Sequence, residues 1–420
     1  MRLTLLTIGS RGDVQPCVAL GLGLQAAGYR VRVATHPRYA RLVGGTGLDF
    51  APLAEGQVSR GAETEEGRRW IEAHGRRRPS VLGFWRDARS VADRRLADAA
   101  AACADADAVV AANLALVVGW QVARLRQLPF VRAFIEPPAW MLAPRAVRPV
   151  APAIRQVAWS AGRPWMNGAR RRALGAGPLP PREPFGQLDR AGTPALYAFS
   201  SLLLPEGERL PSGASVTGYW FADRSLDPEP PVELEAFLSA GPPPVAVGFS
   251  TMIDADPAAT AALVVGALRR AGVRGVLVGG AVARAAALAP DLHVVEAVSH
   301  DWLLPRCAAV VHHAAVGTTA SGLRAGIPAV AIPHMSDQYF WARRLHAAGV
   351  SPEPITRRRL DAARLSDAIG RAARDPGLRT CAAFLGQSIR AEDGVARAID
   401  LIARRVGRPA RPAPAVHPQR

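Results

Sequence analysis

One pattern recurs in both halves of this chain and constrains its fold more than any other feature. A short apolar run is halted by a glycine or small residues, and a loop and a helical repeat follow. Residues 1–8 form such a run and stop at Gly9, which reads as a buried strand of a parallel sheet. The loop Gly9-Ser-Arg-Gly-Asp-Val-Gln-Pro16 leads into a helical pattern through Val18, Leu20, Leu22, Leu24 and Ala27, closed by Gly28. Residues 29–34 then alternate as a second strand, completing a βαβ unit. Further strands of this sheet are expected at 108–112 and 129–134. The second half repeats the plan, with strands at 244–249, 274–278, 293–296, 308–312 and 328–332 and a helix at 257–271.

At 420 residues the chain exceeds one ordinary core, so two α/β domains are expected. These are Rossmann-like parallel-sheet domains at 1–221 and 244–385. The Pro-rich, polar stretch 222–243 reads as a linker with one short helix near 232–238. A C-terminal helix is expected at 386–406, and the Arg- and Pro-rich tail 407–420 is expected to be disordered. Ligands of parallel sheets sit beyond the carboxyl ends of the strands. Functional residues are therefore sought on loops that follow strands, in the cleft between the domains.

The net charge is +17, and all 52 basic residues are arginine. With the Ala, Gly and Pro content, this reads as the coding bias of a GC-rich genome. The arginines are dispersed, with local concentrations at 68–95, 170–172, 357–359 and the tail, and aromatic residues are not interleaved with them in the manner of a single-strand binder. No nucleic-acid partner is expected. A diffuse basic face does suit peripheral contact with an anionic membrane. The most apolar stretch, 99–119, is interrupted by Asp105 and Asp107, so no transmembrane helix is expected. No charged leader with an apolar core and cleavage site is evident. The four cysteines (Cys17, Cys103, Cys307 and Cys381) form no CxxC pair and read as reduced core thiols. These features point to a cytoplasmic chain.

The most informative segment is Val310-Val-His-His-Ala-Ala-Val-Gly-Thr-Thr, where a strand ends in two histidines and Gly317-Thr318-Thr319 opens a helix. Outward N–H groups and the helix dipole make such a start an anion site suited to a diphosphate, with His313 able to donate to it. One strand later, Asp337 and Gln338 offer adjacent carboxylate and amide groups that suit sugar hydroxyls, although an aspartate there also suits a helix N-cap.

Together with the Ala-Gly-Ile-Pro turn and Asp-Gln-Tyr-Phe-Trp-Ala-Arg-Arg-Leu, this segment resembles the donor motif of GT-B family 1 glycosyltransferases. Within that family it is most similar to sterol glucosyltransferases and related antibiotic glycosyltransferases. Gly9–Pro16 resembles the family's acceptor-domain opening. Gly248-Phe-Ser-Thr-Met252 resembles the start of its donor domain, and His300-Asp-Trp-Leu-Leu-Pro305 the segment lining the nucleotide base. Ile389-Arg-Ala-Glu-Asp-Gly-Val395 resembles its closing helix, which crosses back to the first domain. One departure stands out: Ala314 and Ala315 occupy family glycine positions, and alanine is disfavoured at positive φ.

The resemblance implies an inverting, metal-independent transfer of a hexose to a hydroxyl of a sterol, lipid or polyketide. UDP-glucose is the expected co-substrate, a dTDP-sugar the alternative, and no cofactor is expected. Asp13 is implied as general base, with helix capping as its structural alternative. Donor binding is implied for Arg11, Gly12, Ser250, Thr251, Val298, Trp302, His313, Gly317, Thr318, Thr319, Asp337 and Gln338. An apolar acceptor would meet Trp85 and Trp140, from a set that includes Trp70, Phe84, Trp159 and Trp165. Arg-rich 68–95 beside Trp85 would meet the membrane. Competing readings are a nucleotide-sugar epimerase or a non-catalytic partner protein on the same fold. A dinucleotide oxidoreductase is disfavoured because no GxGxxG follows the first strand.

Overall fold

The computed structural model describes residues 1–56, 89–222, 229–249, 256–286, 289–335 and 337–408. Its first sheet has seven strands, β1 (Arg2–Leu6), β2 (Arg30–Thr35), β3 (Asp49–Pro52), β4 (Ala108–Ala112), β5 (Phe130–Phe134), β6 (Ala195–Tyr197) and β7 (Ala214–Val216). The second has five, β8 (Val245–Gly248), β9 (Gly275–Val278), β10 (Leu292–Val295), β11 (Ala309–His312) and β12 (Ala329–Ala331). All strand pairs within them are parallel. β4 is buried at all five positions, as a strand covered by helices on both faces must be. The expected strands all form. β3, β6 and β7 are additions, and at three or four residues they are too short to carry a period.

Strand order decides where ligands can bind. In the first sheet β1 lies between β2 and β4, so the chain reverses its direction of winding at the β1–β4 boundary. In the second, β8 lies between β9 and β11 and the reversal falls at β8–β11. At such boundaries the flanking loops diverge and leave a crevice beyond the strand ends. Gly9–Asp13 and Asn113 follow β1 and β4, while Gly248 and His313–Thr318 follow β8 and β11.

The stretch between the sheets carries the helix Val232–Ser239, which is attached to the second domain. Leu234 is fully buried, and the Phe237 carbonyl accepts from the Arg274 guanidinium. The expected single C-terminal helix is two. Pro376–Arg390 packs on the second domain, and after a break Gly394–Val406 packs on the first-domain helix Arg11–Ala26. The break has a local cause: Asp393 caps the new helix by accepting from Ala396 N–H at 2.9 Å, while the Glu392 carboxylate accepts from Ser200 Oγ at 2.6 Å. Two further ties join the domains. Arg344 donates to the Leu203 and Leu204 carbonyls at 2.8 and 2.9 Å, and Phe199 meets Trp341 edge-on at 5.5 Å.

Cys17, Cys103 and Cys307 are buried, but Cys381 is exposed on the Pro376–Arg390 helix rather than in a core. No helix among the described residues is long and apolar enough to cross a membrane.

Candidate active site at two strand switch points

The first domain contributes a held carboxylate. β1 ends into Gly9, whose φ of +140° turns the chain sharply before the helix Arg11–Ala26 begins. Asp13, in that helix's first turn, is only 8% exposed. Its Oδ2 accepts from Ser10 N–H at 2.8 Å and Ser10 Oγ at 3.1 Å. Its Oδ1 accepts from Asn113 Nδ2 at 3.1 Å, and Asn113 Oδ1 in turn accepts from Ile135 N–H at 3.0 Å. Asn113 sits at φ +40°, an angle that asparagine tolerates better than most residues. Asp13 therefore does cap its helix, and it is also anchored across the switch point to the end of β4. Burial raises its pKa, opposed by the bonds from Asn113 and Ser10.

The second domain contributes a helix start. Val316–Ala325 opens directly after β11, one residue before Gly317, so the first-turn N–H groups of Val316, Gly317 and Thr318 face out of the helix. Gly317 and Thr318 are partly exposed, whereas Thr319 is 1% exposed. The two histidines diverge in role. His312 Nδ1 accepts from Ala314 N–H at 3.1 Å and burial pushes its pKa down to about 3, so it serves the loop. His313 is 5% exposed and burial pushes it down to about 4, despite the Gly248 carbonyl beside it. Near neutral pH it is a hydrogen-bond donor without charge, as the expected donation to a diphosphate requires.

The two helix starts meet. A Cβ built on Gly317 would lie 3.9 Å from the Gly12 Cα, so β1 and β11 deliver their loops to one point. Asp337, the residue before the helix Gln338–Ala347, lies on the same cleft. It is 7% exposed, and its pKa is pushed up to about 7 by burial first and by the Asp13 charge second. It holds the N-cap position of that helix, as the alternative reading had it, but its side chain makes no cap bond there. Gln338 is less available than expected, because its Oε1 already accepts from His334 and Met335 N–H at 2.8 and 3.1 Å.

Sequence reasoning missed a third carboxylate. Glu136, just beyond β5, has its pKa raised well above the ordinary range by burial and then by the charges of Asp13 and Asp337. Its only sequence signal was its place after a strand, in Phe134-Ile-Glu-Pro-Pro138. Such a group binds its proton more tightly folded than unfolded, so its contribution to stability is present at low pH and fades as pH rises through the folded value. For Asp337 that window runs from the ordinary carboxylate range to about 7. The buried neutral His312 and His313 act in the opposite sense, so the test compares two proteins rather than two pH values alone. Relative to the wild type, Asp337→Asn should gain melting temperature at pH 8 over pH 5, and an unchanged pH dependence would contradict the assigned burial.

The remaining expected residues fall into place unevenly. Arg11 is exposed and turned along its own helix, Nε donating to Gln15 Oε1 at 3.0 Å. Val298 is 7% exposed and packed in the core. Trp302 is half-buried, with the Arg306 guanidinium 4.4 Å over its ring. Trp140 is half-buried beside Tyr197 and carries Arg148 at 5.6 Å from its ring centroid. Trp159 is a packing residue whose Nε1 donates to the Pro180 carbonyl at 2.9 Å. Arg95, from the basic stretch, is 9% exposed and donates to the Ala54 carbonyl, so it is not a membrane-facing cation. Trp70, Phe84, Trp85, Ser250 and Thr251 lie outside the described residues. Among the described residues no three His, Cys, Asp or Glu side chains gather as ligands for a metal ion.

Comparison with known proteins agrees with this geometry. Residues 3–138 match the glycosyltransferase family 28 N-terminal domain, and residues 276–397 match the erythromycin biosynthesis protein CIII-like C-terminal domain. Its two parallel-sheet domains have the GT-B fold. A sterol 3-beta-glucosyltransferase of Emericella nidulans is 32% identical over 96% of the chain, which spans 30% of that relative. One from Arabidopsis thaliana is 30% identical over 95% of the chain, which spans 64% of it. Among solved structures, the kitacinnamycin glycotransferase superposes with a TM-score of 0.72 at 21% identity, covering 96% of this chain and 98% of that one. The calicheamicin glycosyltransferase CalG4 gives 0.69 at 18% identity, covering 98% and 99%.

Within this GT-B frame the alanine departure has a physical reading. Ala314 adopts φ +62°, the left-handed angle, while Ala315 lies at an ordinary −67°. This loop thus keeps a glycine-type turn at the strain cost of an alanine, about 1–2 kcal/mol. Ala314→Gly relieves that strain, whereas Ala315→Gly only adds backbone freedom to the unfolded chain. Ala314→Gly should be the more stable of the two by about 1 kcal/mol in denaturant titration. Equal stabilities would mean that the loop does not hold the left-handed angle.

Proposed function

We propose that this chain is an inverting, metal-independent glycosyltransferase that moves a hexose, in the first instance glucose, from a UDP-sugar to a hydroxyl of an apolar molecule such as a sterol, lipid or polyketide. The observation that carries the reading is the meeting of Asp13 with the Val316–Ala325 helix start and Asp337 at one point between two switch-point crevices. The sterol glucosyltransferase relatives support glucose and an apolar acceptor. A thymidine diphosphate donor is the alternative, supported by the VinC glycosyltransferase, solved with dTDP and superposing at a TM-score of 0.63.

In this scheme the acceptor hydroxyl attacks the anomeric carbon, and its proton passes to an Asp13 carboxylate oxygen. The bond from that carbon to the diphosphate oxygen breaks on the opposite face, and its electron pair leaves with the nucleoside diphosphate. The first-turn N–H groups at Gly317 and Thr318, and the His313 imidazole as a neutral donor, take up the charge that develops there. Asp337 accepts from sugar hydroxyls, and Gln338, with its oxygen committed to the loop, donates through its amide. Glu136 and Trp140 border the acceptor side, where β5 ends.

The test is calorimetry of UDP, UDP-glucose, dTDP and dTDP-glucose with the purified protein and with His313→Ala. Uridine nucleotides should bind and should lose at least about tenfold in the variant, the worth of a charge-assisted hydrogen bond. No binding by any nucleotide would remove the transferase reading for this chain.

A further inference from the structure

The helix Ala151–Leu174 and the turn Arg145–Val150 before it depart from the ordinary pattern of a surface helix. The inner face is conventional: Trp159, Gly162, Met166 and Ala169 are buried. A surface helix normally turns charged and polar residues outward. Here the outward residues are Val147, Val150, Ile154 and Val157, which are 38, 53, 55 and 69% exposed. Ile154 and Val157 lie one turn apart on the helix, and Val150 and Val147 lead into them from the preceding turn. Exposed Ala158 and Ala161 widen this row into an apolar face.

The charge around this face has one sign within its own segment. From Pro137 to Arg182 there is no aspartate or glutamate and there are eight arginines, at 145, 148, 155, 163, 170, 171, 172 and 182. Neighbouring elements use some of them: Arg148 pairs with Glu208, Arg155 with Glu183 and Arg172 with Asp93, while Arg170 is buried on the Gly177 carbonyl. Arg145, donating to the Glu206 carbonyl at 2.6 Å, and Arg171 lie at the exposed rim, and Arg163, donating to the Leu179 carbonyl at 3.3 Å, is half-buried beside it. The exposed row is aliphatic, without the directional polar groups that mark protein interfaces. Aliphatic residues edged by arginines whose stems lie on apolar surface are what an anionic bilayer surface accepts.

We propose that the face built by Val147, Val150, Ile154 and Val157 docks this protein on an anionic lipid bilayer. The docking face directly follows the helix Ala139–Leu142 that carries Trp140, so it would bring the acceptor side of the cleft to the membrane surface. This places membrane contact on the described residues that lead into and open the helix Ala151–Leu174.

The experiment is co-sedimentation of the full chain with vesicles, without donor or acceptor, so its outcome is separate from whether the chain transfers sugar. Pure phosphatidylcholine vesicles are compared with phosphatidylcholine–phosphatidylglycerol vesicles, at low and at physiological salt. The wild type should bind the anionic vesicles, more strongly at low salt. The triple variant Val150→Glu, Ile154→Glu, Val157→Glu should bind at least about tenfold more weakly. Its positions are exposed, and an unchanged melting curve confirms that it folds. Wild-type protein left in the supernatant, equal binding to both vesicles, or undiminished binding by the triple variant would each overturn the proposal. A wild-type dimer that the triple variant converts to monomer would also overturn it, assigning the face to a second copy of this chain.

Discussion

Asp13→Asn should lower turnover by about 10²–10⁴-fold, the range for loss of a positioned general base, while leaving UDP-glucose affinity nearly intact. The substitution is close to isosteric but cannot satisfy both sides of the site. Oδ2 of Asp13 accepts from Ser10 and Oδ1 accepts from Asn113, so the amide nitrogen of an asparagine would face a donor on one side. That cost is offset in part by removal of a buried charge, so the variant should fold. The assay is run in EDTA, where the wild type should keep its turnover, which tests metal independence in the same experiment. Wild-type turnover should also fall as pH drops through the raised carboxylate range, because protonated Asp13 can take no proton. Full turnover by Asp13→Asn would confine Asp13 to its capping bonds.

Gly394→Ala should destabilise the protein by about 1–3 kcal/mol or more, the cost of forcing an atom into packed backbone. A Cβ at Gly394 would lie 2.3 Å from the Tyr219 carbonyl oxygen and 2.7 Å from the Gly218 carbonyl carbon, neither of which is a flexible side-chain end. This is the point where the last helix crosses to the first domain, so the strain falls on the union of the two halves. Gly266→Ala is the matched control: it lies inside the helix Pro257–Arg270 with nothing within 4 Å of its built Cβ. It should gain about 0.5–1 kcal/mol from helix propensity. Thermal melting of both variants decides the matter, and equal shifts would refute the close approach at Gly394.

How much of the site was readable follows from what each signal depends on. Asp13 and the His313–Thr319 segment were visible because each follows a long apolar strand, and a strand end is a local property of sequence. Glu136 follows an equally clear strand, yet its significance lies in the charges of Asp13 and Asp337, which are remote in sequence. The tryptophans show the opposite failure: composition suggested an acceptor lining, but Trp159 is spent on packing and a carbonyl. His312 and His313 are neighbours of one residue type, and only the Ala314 N–H bond to His312 separates a loop-holding ring from a cleft-facing one.

The sequence by itself determined the two parallel α/β domains, the positions of their main strands along the chain and the loops that carry the candidate chemistry. These rest on periodicity and on where apolar runs stop, which are properties of a few consecutive residues. Only the tertiary structure decided the short strands, the break before Gly394, the left-handed Ala314 and the mutual influence of the buried carboxyls of Asp13, Glu136 and Asp337. Each of those depends on atoms brought together from distant parts of the chain, where burial and Coulomb interaction act through space and leave no local pattern to read.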